Sequence, residues 1–451
     1  MRKNQKGSMT IFLALLMGIF LSFFLVLIEG TRLFFLRVEA AQAVELAEFS
    51  VLSEFQQELF SEYGIFALDL DYEQGNEQTG ILEQRIQKYL SVNMEETVSE
   101  NIEMYHFRRL TDQGGAPFFE QAVEEQKIRS GQKIFEEIFE HLEAVEMETV
   151  NLSDMLRNHC QEAESIRDGY KKEDGTFLFE FMLPQITFPS VPALTEAVFG
   201  NIEDLSKAEI PLEERLLQRD LVQGVCNESE KSFAEKKLFF DYLFEHFAYY
   251  GTQNLQIWRE ALSYQMEYII AGNSSDRKNL ETILWKLFLL RAGGNYVFYH
   301  QDTKELAQAE AEAMALVGIT GNTVLIEAVR EIFLISKAIE NGISETRRIF
   351  AGEKVPLYKN GLIEEVELGY EEYLRLFLMT TEKTKMIYRC MDLIELEVRA
   401  HAGYPSFRLD HCTDQFEFCW SYQVESLFYE GFLSDKSGYQ RKMERKVFYE
   451  K

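Results

Sequence analysis

The twenty residues MTIFLALLMGIFLSFFLVLI, numbers 9–28, contain no charged side chain. As an α-helix rising ~1.5 Å per residue this stretch would be ~30 Å long, the thickness of a bilayer's hydrocarbon core. We therefore predict a transmembrane helix over residues 9–28, with membrane lipid as its partner. A cleaved secretory signal has an apolar core of roughly 7–15 residues and a small-residue site close behind it. The Ala-x-Ala at 41–43 lies well past Ile28, so a retained signal anchor is favoured.

The flanking charges predict how this helix is oriented. Arg2, Lys3 and Lys6 precede the apolar run, and basic residues beside a membrane helix tend to stay in the cytoplasm. Residues 1–8 are therefore predicted to be a cytoplasmic basic leader. The protein would be a single-pass protein of the cell membrane, with its C-terminal domain extracytoplasmic.

Small residues recur every four positions along the predicted membrane helix, at Thr10, Ala14, Gly18 and Ser22. Residues at this spacing share roughly one helix face, and small side chains let membrane helices approach closely. The face predicts lateral packing against another helix. The alternative is that small residues are simply common in membrane helices.

The junction before the apolar run resembles a prepilin-type leader, because Lys6 is followed by Gly7 and Ser8. Cleavage between Gly7 and Ser8 would leave the hydrophobic helix on the mature protein. Type IV pilins usually carry Glu at the fifth mature position, where this chain has Phe12. The sequence leaves open whether the leader is cleaved.

Composition indicates a folded and acidic ectodomain. Of 451 residues 46% are hydrophobic, including 36 Phe and 21 Tyr, so a packed core is expected and a disordered stalk is not. The net charge of −29 disfavours nucleic acid and anionic lipid head groups as partners. None of the five cysteines forms a C-x-x-C pair, which leaves zinc and thioredoxin-like chemistry unsupported. Cys412 and Cys419 could bridge locally or remain buried free thiols.

Periodicity predicts a mainly α (α+β) fold. Apolar spacing continues the membrane helix as one ~80 Å helix to Glu62, and Gly64 ends it. Strand-like alternation occurs near both ends of the chain, so one small antiparallel sheet beside a helical body is expected. The predicted segments are 1–8, the transmembrane helix 9–28, a helical extension 29–62, a first ectodomain region 63–175, a Pro-containing connection 176–211, and a mainly helical region 212–451 with C-terminal strands.

Several longer elements are predicted beyond the first helix. Helices are expected over 81–90, from Pro117 to about Arg167, over 232–250, over 255–271, from 276 toward Arg291, over 303–317 and 322–350 as an αα-hairpin, and over 370–400. Strands are expected over 65–72, 102–110, 416–424 and 443–449.

The sequence contains no recognised catalytic motif. The sequence lacks H-E-x-x-H, G-x-S-x-G, a P-loop and a Rossmann glycine pattern. Asp69 and Asp71 begin a calcium-loop-like series, but Gln74 and Gly80 occupy positions where an EF-hand needs Gly and Glu. His246 and His300 lie among aromatics, which is typical of packed core residues. We predict no enzyme, no cofactor and no metal site.

One soluble motif allows two interpretations. The G-N-S-S-D stretch at 272–276 could be a recognition loop, or it could end one helix and begin the next. Gly is typical of helix C-caps, and Ser and Asp are typical of N-caps. The second interpretation is favoured.

Several segments together resemble an uncharacterised bacterial family with a TadE-like (tight-adherence pilus) N-terminus and a large extracytoplasmic domain of unknown function. The matching stretches are KGSMTIFLALL at 6–16, ELFSEYGIFALD at 58–69, EYIIAGNSSDRKNLETIL at 267–284, AGEKVPLYK at 351–359, YEEYLRLFL at 370–378 and MDLIE at 391–395. The resemblance implies a surface or assembly protein without established activity. Its partners would be other pilin-like or secretion-system proteins.

Two function classes follow. The leading hypothesis is a membrane-anchored structural or assembly component of a tight-adherence-like pilus or secretion system. The alternative is an anchored extracytoplasmic enzyme or ligand-binding protein acting at the cell wall. A deep pocket with converging carboxylates would favour the alternative.

Overall fold

A computed structural model of the chain describes residues 4–71, 79–94, 99–129, 152–173, 175–176, 178, 188–211, 213–225, 233–252, 257–356, 367–402, 404–424, 427 and 439–448. These residues form two compact units. Unit 1 contains 1–125, 220–231 and 398–451, and unit 2 contains 126–219 and 232–397. Both units are discontinuous in sequence. The predicted mainly helical fold with a long apolar N-terminal helix and small antiparallel sheets is confirmed.

Unit 1 begins with α1, Asn4–Leu52, a single helix of 49 residues. The prediction of one helix continuing to Glu62 was wrong, because α1 ends at Leu52 and a short α2, Gln57–Tyr63, follows. Between them, the Gln56 amide donates to the carbonyl of Ala67. The break lets the rings of Phe55, Phe60 and Phe66 cluster, with centroids 4.0–5.4 Å apart. Gly64 ends α2 in the left-handed conformation, as predicted.

The second half of α1 packs against the rest of unit 1 through one stripe of buried side chains. The stripe consists of Glu29, Leu36, Ala40, Ala43, Val44, Ala47 and Val51. This spacing of three and four residues is that of an amphipathic helix. Its apolar members share a core with α3, Thr79–Val92, which contributes Leu82, Ile86 and Leu90.

The sheet of unit 1 joins the two ends of the chain, as the sequence predicted. Its strands are β1 Leu68–Asp69, β2 Ser99–Arg109, β5 Cys412–Val424 and β6 Tyr439–Phe448. All three others pair antiparallel with β5. Alternate β5 side chains, including Phe418 and Trp420, enter the core beside α1. The predicted strand 65–72 is shortened to two residues, and β2 contains a bulge where His106 has a φ of 55°.

A kinked helix, α4, Asp112–Arg129, follows β2. Gln113, Gly114 and Gly115 have left-handed backbone, so the predicted Gly-Gly turn is present and the regular helix follows it. The prediction of one helix from Pro117 to about Arg167 is borne out over α4 and α5, Leu152–Asp168, and its middle lies outside the described residues. Cys412 and Cys419 are free thiols seven residues apart on β5, so the extended strand keeps them too far apart to bridge.

Unit 2 is helical. Its further elements are α6 Val191–Phe199, α7 Phe233–His246, α8 Gln265–Ala271, α9 Asp276–Gln301, α10 Thr303–Val317, α11 Thr323–Phe350, the strand pair β3 Val355–Pro356 and β4 Glu367–Leu368, α12 Tyr370–Thr380, and α13 Lys383–Ala402, whose last turn is counted in unit 1. The αα-hairpin of α10 and α11 is confirmed. Asp302 and Asn322 cap the two helices with their side chains.

Five predicted segments of unit 2 have different boundaries in the structure. The Pro-containing connection 176–211 includes a helix, α6, because Ser190 caps its start and Pro192 occupies its first turn, where proline is tolerated. The predicted helix 255–271 is reduced to α8, and 232–250 is helical only to His246. The helix toward Arg291 continues to Gln301. The helix 370–400 is divided at Thr381 into α12 and α13.

Close packing of α9 against α11 depends on Gly342. A Cβ built there would lie 3.0 Å from the Ala292 Cβ and 3.1 Å from the Ala292 backbone. Gly294, on α9, would place its Cβ more than 4 Å from any other group.

Gly342→Ala should therefore lower the free energy of unfolding by about 1–3 kcal/mol, because overpacking forces two helices apart. Gly294→Ala should raise the same quantity by up to about 1 kcal/mol through helix propensity alone. Urea unfolding of the detergent-solubilised chain, followed by circular dichroism, measures both. Equal stability of the two variants would contradict the packing.

Candidate functional site

The first half of α1 could cross a membrane. Among the described residues, one helix is long and apolar enough to cross a membrane. The most apolar 18-residue stretch of this helix has a mean hydropathy of 3.0, and none of its residues is buried. By length and composition it could be a membrane anchor or a signal sequence. Gly7 and Ser8 lie within α1.

The predicted packing face is open. Thr10, Ala14, Gly18 and Ser22 are all exposed, and a Cβ at Gly18 would meet nothing within 4 Å. The Ser22 hydroxyl donates to the Ile19 carbonyl of its own helix, so it adds little polarity to the surface. The four residues leave the α1 backbone accessible to a neighbouring helix. Their role in packing stays a prediction.

The G-N-S-S-D motif lies at the centre of a second candidate site, in unit 2. It joins α8 to α9, and residues 265–270 of α8 are all buried. Gly272 ends α8 in the left-handed conformation with a φ of 74°. The side-chain amide of Asn279 and the backbone of Asn273 exchange two hydrogen bonds, of 2.7 and 3.1 Å. The motif therefore ends one helix and begins another, as favoured from the sequence.

Asp276 does not cap α9 as its N-terminal position suggested. Its carboxylate accepts hydrogen bonds from the amides of Ser263 and Tyr264 at 2.8 and 3.1 Å, and from the Ser206 hydroxyl at 2.5 Å. These amides belong to the segment that enters α8. Asp276 thus holds the start of α8, and burial raises its pKa.

Two arginines hold the other end of α8. The Arg389 guanidinium donates to the carbonyls of Ile269 and Ile270 at 2.9 and 2.7 Å, and Arg215 donates to the Gly272 carbonyl at 2.9 Å. The last carbonyls of a helix lack partners inside the helix, and positive charge is favourable there. A Cβ at Gly272 would lie 2.3 Å from the Arg389 guanidinium carbon. Glycine is therefore required at this position for two reasons, the left-handed backbone and the close approach of Arg389.

Two neighbouring side chains of α8, Glu267 and Tyr268, form hydrogen bonds that involve a carboxylate group. Glu267 accepts from the Tyr370 hydroxyl at 2.6 Å and from the Tyr250 amide at 2.8 Å, both at Oε1. The Tyr268 hydroxyl donates to Asp392 at 2.8 Å. Burial raises the pKa of Glu267 to about 7 and that of Asp392 to about 6.

The carboxyl groups of Glu397 and Glu260 form a pair at the edge of this hydrogen-bond network. Glu397 accepts from the amides of Glu260 and Ala261 and from the side chain of Gln265, at 3.0–3.1 Å. Burial first, and then the carboxyl group of Glu260, raises the pKa of Glu397 to about 8. We call Asp276, Glu267, Asp392 and Glu397 the α8 carboxylates.

The geometry of the α8 carboxylates suits a structural role. Each accepts at least two hydrogen bonds from protein donors, and Asp276, Glu267 and Glu397 have no exposed area. Their raised pKa values follow chiefly from burial, which also occurs at catalytic sites, so the shift alone does not identify an acid or base. Sequence reasoning missed these four residues. For Asp392 and Glu397 the available signal was the carboxylates placed among the apolar residues of α13.

The calcium-like series at Asp69 and Asp71 forms a different arrangement in unit 1. The Asp71 amide donates to the Asp69 carboxylate at 2.9 Å, and Asp71 Oδ2 lies 2.8 Å from His411 Nδ1. Burial raises the pKa of Asp69 to about 6. The rest of the proposed loop, from Glu73 to Gln78, lies outside the described residues. His246 and His300 each contact a tyrosine ring, with centroids 4.5 and 4.6 Å apart, but both are only half-buried and are not core residues as predicted.

Comparison with known proteins identifies the family. Residues 191–424, just over half of the chain, match a family of unknown function, DUF5702. The chain belongs to this family. No curated protein and no solved structure matches it. The α8 carboxylates all lie within the DUF5702 region, whereas α1 precedes it.

The raised pKa of Glu267 predicts how stability depends on pH. In the unfolded chain this carboxyl group should titrate near 4.5, and in the folded protein it titrates at about 7. Between these values the folded state binds more protons, so the free energy of unfolding falls as pH rises, by about 3 kcal/mol in total. Glu267→Gln retains the acceptor at Oε1 and cannot ionise. The variant should match the wild type near pH 4.5 and be more stable above pH 8.

Urea unfolding at pH 4.5 and pH 8.5 measures this difference. The control is Glu196→Gln, which changes an exposed carboxylate on α6 and should leave both values unchanged. A Glu267→Gln variant that is less stable than the wild type at pH 8.5 would show that the ionised carboxylate is needed.

Proposed function

We propose that this protein is a membrane-anchored, extracytoplasmic structural or assembly component of a tight-adherence-like pilus or secretion system. The observation that carries the proposal is the continuity of α1. Its apolar first half is exposed over residues 9–24, and its second half packs into the core of unit 1 through the buried stripe from Glu29 to Val51. No flexible linker separates the two halves.

A continuous helix makes the membrane segment and unit 1 one mechanical element. Lateral packing or force at residues 9–28 would then be transmitted directly to the ectodomain. An enzyme that acts on a diffusing substrate has no need of such coupling, whereas an assembly subunit has. The basic leader favours a cytoplasmic N-terminus, and the TadE-like resemblance of residues 6–16 suggests pilin-like partners.

The α8 carboxylates support a non-enzymatic protein. They are bonded to backbone amides and to tyrosine, serine and glutamine side chains, which hold α8 in place. A catalytic carboxyl group needs access to a substrate. Among the described residues, the strongly perturbed carboxyl groups of unit 2 are used within the fold.

Ala14→Leu combined with Gly18→Leu should weaken helix-mediated association in the membrane, because the added side chains separate the two backbones. Crosslinking in native membranes measures the associated fraction. The matched control is Phe12→Leu with Leu16→Ile, which alters the opposite helix face and keeps it apolar. Undiminished crosslinking in the first variant would refute the packing face.

The assembly role itself is tested by breaking α1. Inserting Gly-Ser-Gly-Ser between Ile28 and Glu29 should leave the anchor and unit 1 folded while uncoupling them. We expect the membrane complex seen by native electrophoresis to be lost or reduced in size. The same insertion after Gly251, an exposed turn residue with a φ of 87°, is the control.

An anchored enzyme or ligand-binding protein would tolerate the insertion in α1, since its site would remain intact. A complex of unchanged size would therefore contradict the assembly role and favour that class. Retention of the variant in the membrane fraction shows that loss of the complex is not loss of the anchor.

A further inference from the structure

Unit 1 carries a basic strand in an otherwise acidic protein. The net charge of the chain is −29, yet β6 exposes four basic residues within six positions, Arg441, Lys442, Arg445 and Lys446. They lie on a strand that pairs with β5 along one edge. Such local concentration against the overall charge calls for a specific explanation.

Contacts between β6 and α1 show which end of β6 lies nearer the apolar residues 9–28. Tyr439, Arg441 and Lys442 line a groove of about 390 Å³ together with Leu33 and Arg37 of α1. Farther along, Arg445 Nε lies 3.6 Å from the carboxylate of Glu48, eleven residues beyond Arg37. β6 therefore runs beside α1 and away from residues 9–28. Arg441 and Lys442 are at the near end, and Lys446 is at the far end.

The near end lies within reach of lipid head groups if α1 spans a bilayer. Arg37 follows Ile28 by nine residues, which places it ~13 Å along the helix. The head-group layer is about 5–8 Å thick on each side, and fields extend a further ~8–10 Å at physiological salt. Arginine and lysine side chains can extend several ångströms toward this layer.

These cations are also available. In the described part of the chain, Arg37, Arg441 and Lys442 are exposed and have no carboxylate within ion-pair distance, whereas Arg32 pairs with Glu29 and Arg445 faces Glu48. Phe34 and Phe35, on the same part of α1, are 62% and 64% exposed. Exposed phenylalanine side chains beside basic ones are typical of segments that lie at a membrane interface.

We propose that Arg37, Arg441 and Lys442, the membrane-proximal basic patch, bind the anionic phospholipid head groups of the bilayer that α1 crosses. The proposal rests on the proposed function only in taking α1 as a membrane anchor. It differs from the expectation from net charge, which disfavoured anionic lipid. Charge complementarity and position beside the apolar span favour lipid over a second copy of the chain.

The test uses the full chain in phosphatidylcholine vesicles with trace spin-labelled phosphatidylglycerol or spin-labelled phosphatidylcholine. Electron paramagnetic resonance gives the fraction of each label that the protein immobilises. The wild type should prefer phosphatidylglycerol. Arg441→Glu with Lys442→Glu should reduce this preference about twofold or more, since each basic residue near an anionic surface contributes on the order of a fivefold factor and the measurement averages over all lipids around the helix.

Lys446→Glu is the matched control, because it reverses an exposed charge on the same strand ~13 Å farther from the span. It should leave the preference unchanged, and circular dichroism should show all variants folded. An equal loss in Lys446→Glu, or no loss in the double variant, overturns the patch. So does a double variant that keeps the lipid preference and loses crosslinking between copies, which would assign the patch to a second chain.

Anchoring is tested separately in the same vesicles. Release of the wild type by alkaline carbonate would overturn the membrane anchor and with it the proposed function. Retention without a preference for phosphatidylglycerol would overturn only the membrane-proximal basic patch.

Discussion

The hydrophobic core that α1 shares with β5 is the constraint on which unit 1 depends. Ala40, Ala43 and Ala47 have no exposed area, and they share a core with Phe418 and Trp420. The small alanine side chains leave room in this core for the large aromatic side chains of β5. Because β5 pairs with β1, β2 and β6 at once, fixing α1 on β5 also fixes both ends of the chain.

A different constraint governs unit 2. The seven residues of α8 are too few to form a stable helix alone, and burial deprives both helix ends of water. Asp276 supplies acceptors before the first turn, and Arg215 and Arg389 supply donors after the last. Burying these charges costs free energy, but removing one partner would cost more, because the remaining group would be left unsatisfied. The network therefore specifies one position for α8.

The sequence predicted elements whose signal is local. The αα-hairpin at Gly318–Thr320 and the alternating strand β5 were readable, because turn residues and periodicity act within a few residues. The break after Leu52 was not, since the aromatic cluster that favours it includes Phe66, which is distant from the helix end. The α8 carboxylates were missed for the same reason. Asp276 has the residue type and position of an N-cap, and only tertiary contacts turn its carboxylate toward Tyr264.

Net charge proves a poor guide to what each surface can bind. The formal value of −29 counts every carboxyl group as ionised, yet burial raises the pKa of Glu267 to about 7 and that of Glu397 to about 8, so both hold protons for part of the time at neutral pH. Many other carboxylates are paired with arginine, as in the buried contact of Arg291 with Glu345 at 2.7 Å. Electrostatic attraction at short range depends on the nearest unpaired charges and is screened beyond about 10 Å. The kind of partner that each face can bind therefore depends on where its unpaired cations and carboxylates lie. At the near end of β6 the unpaired charges are positive.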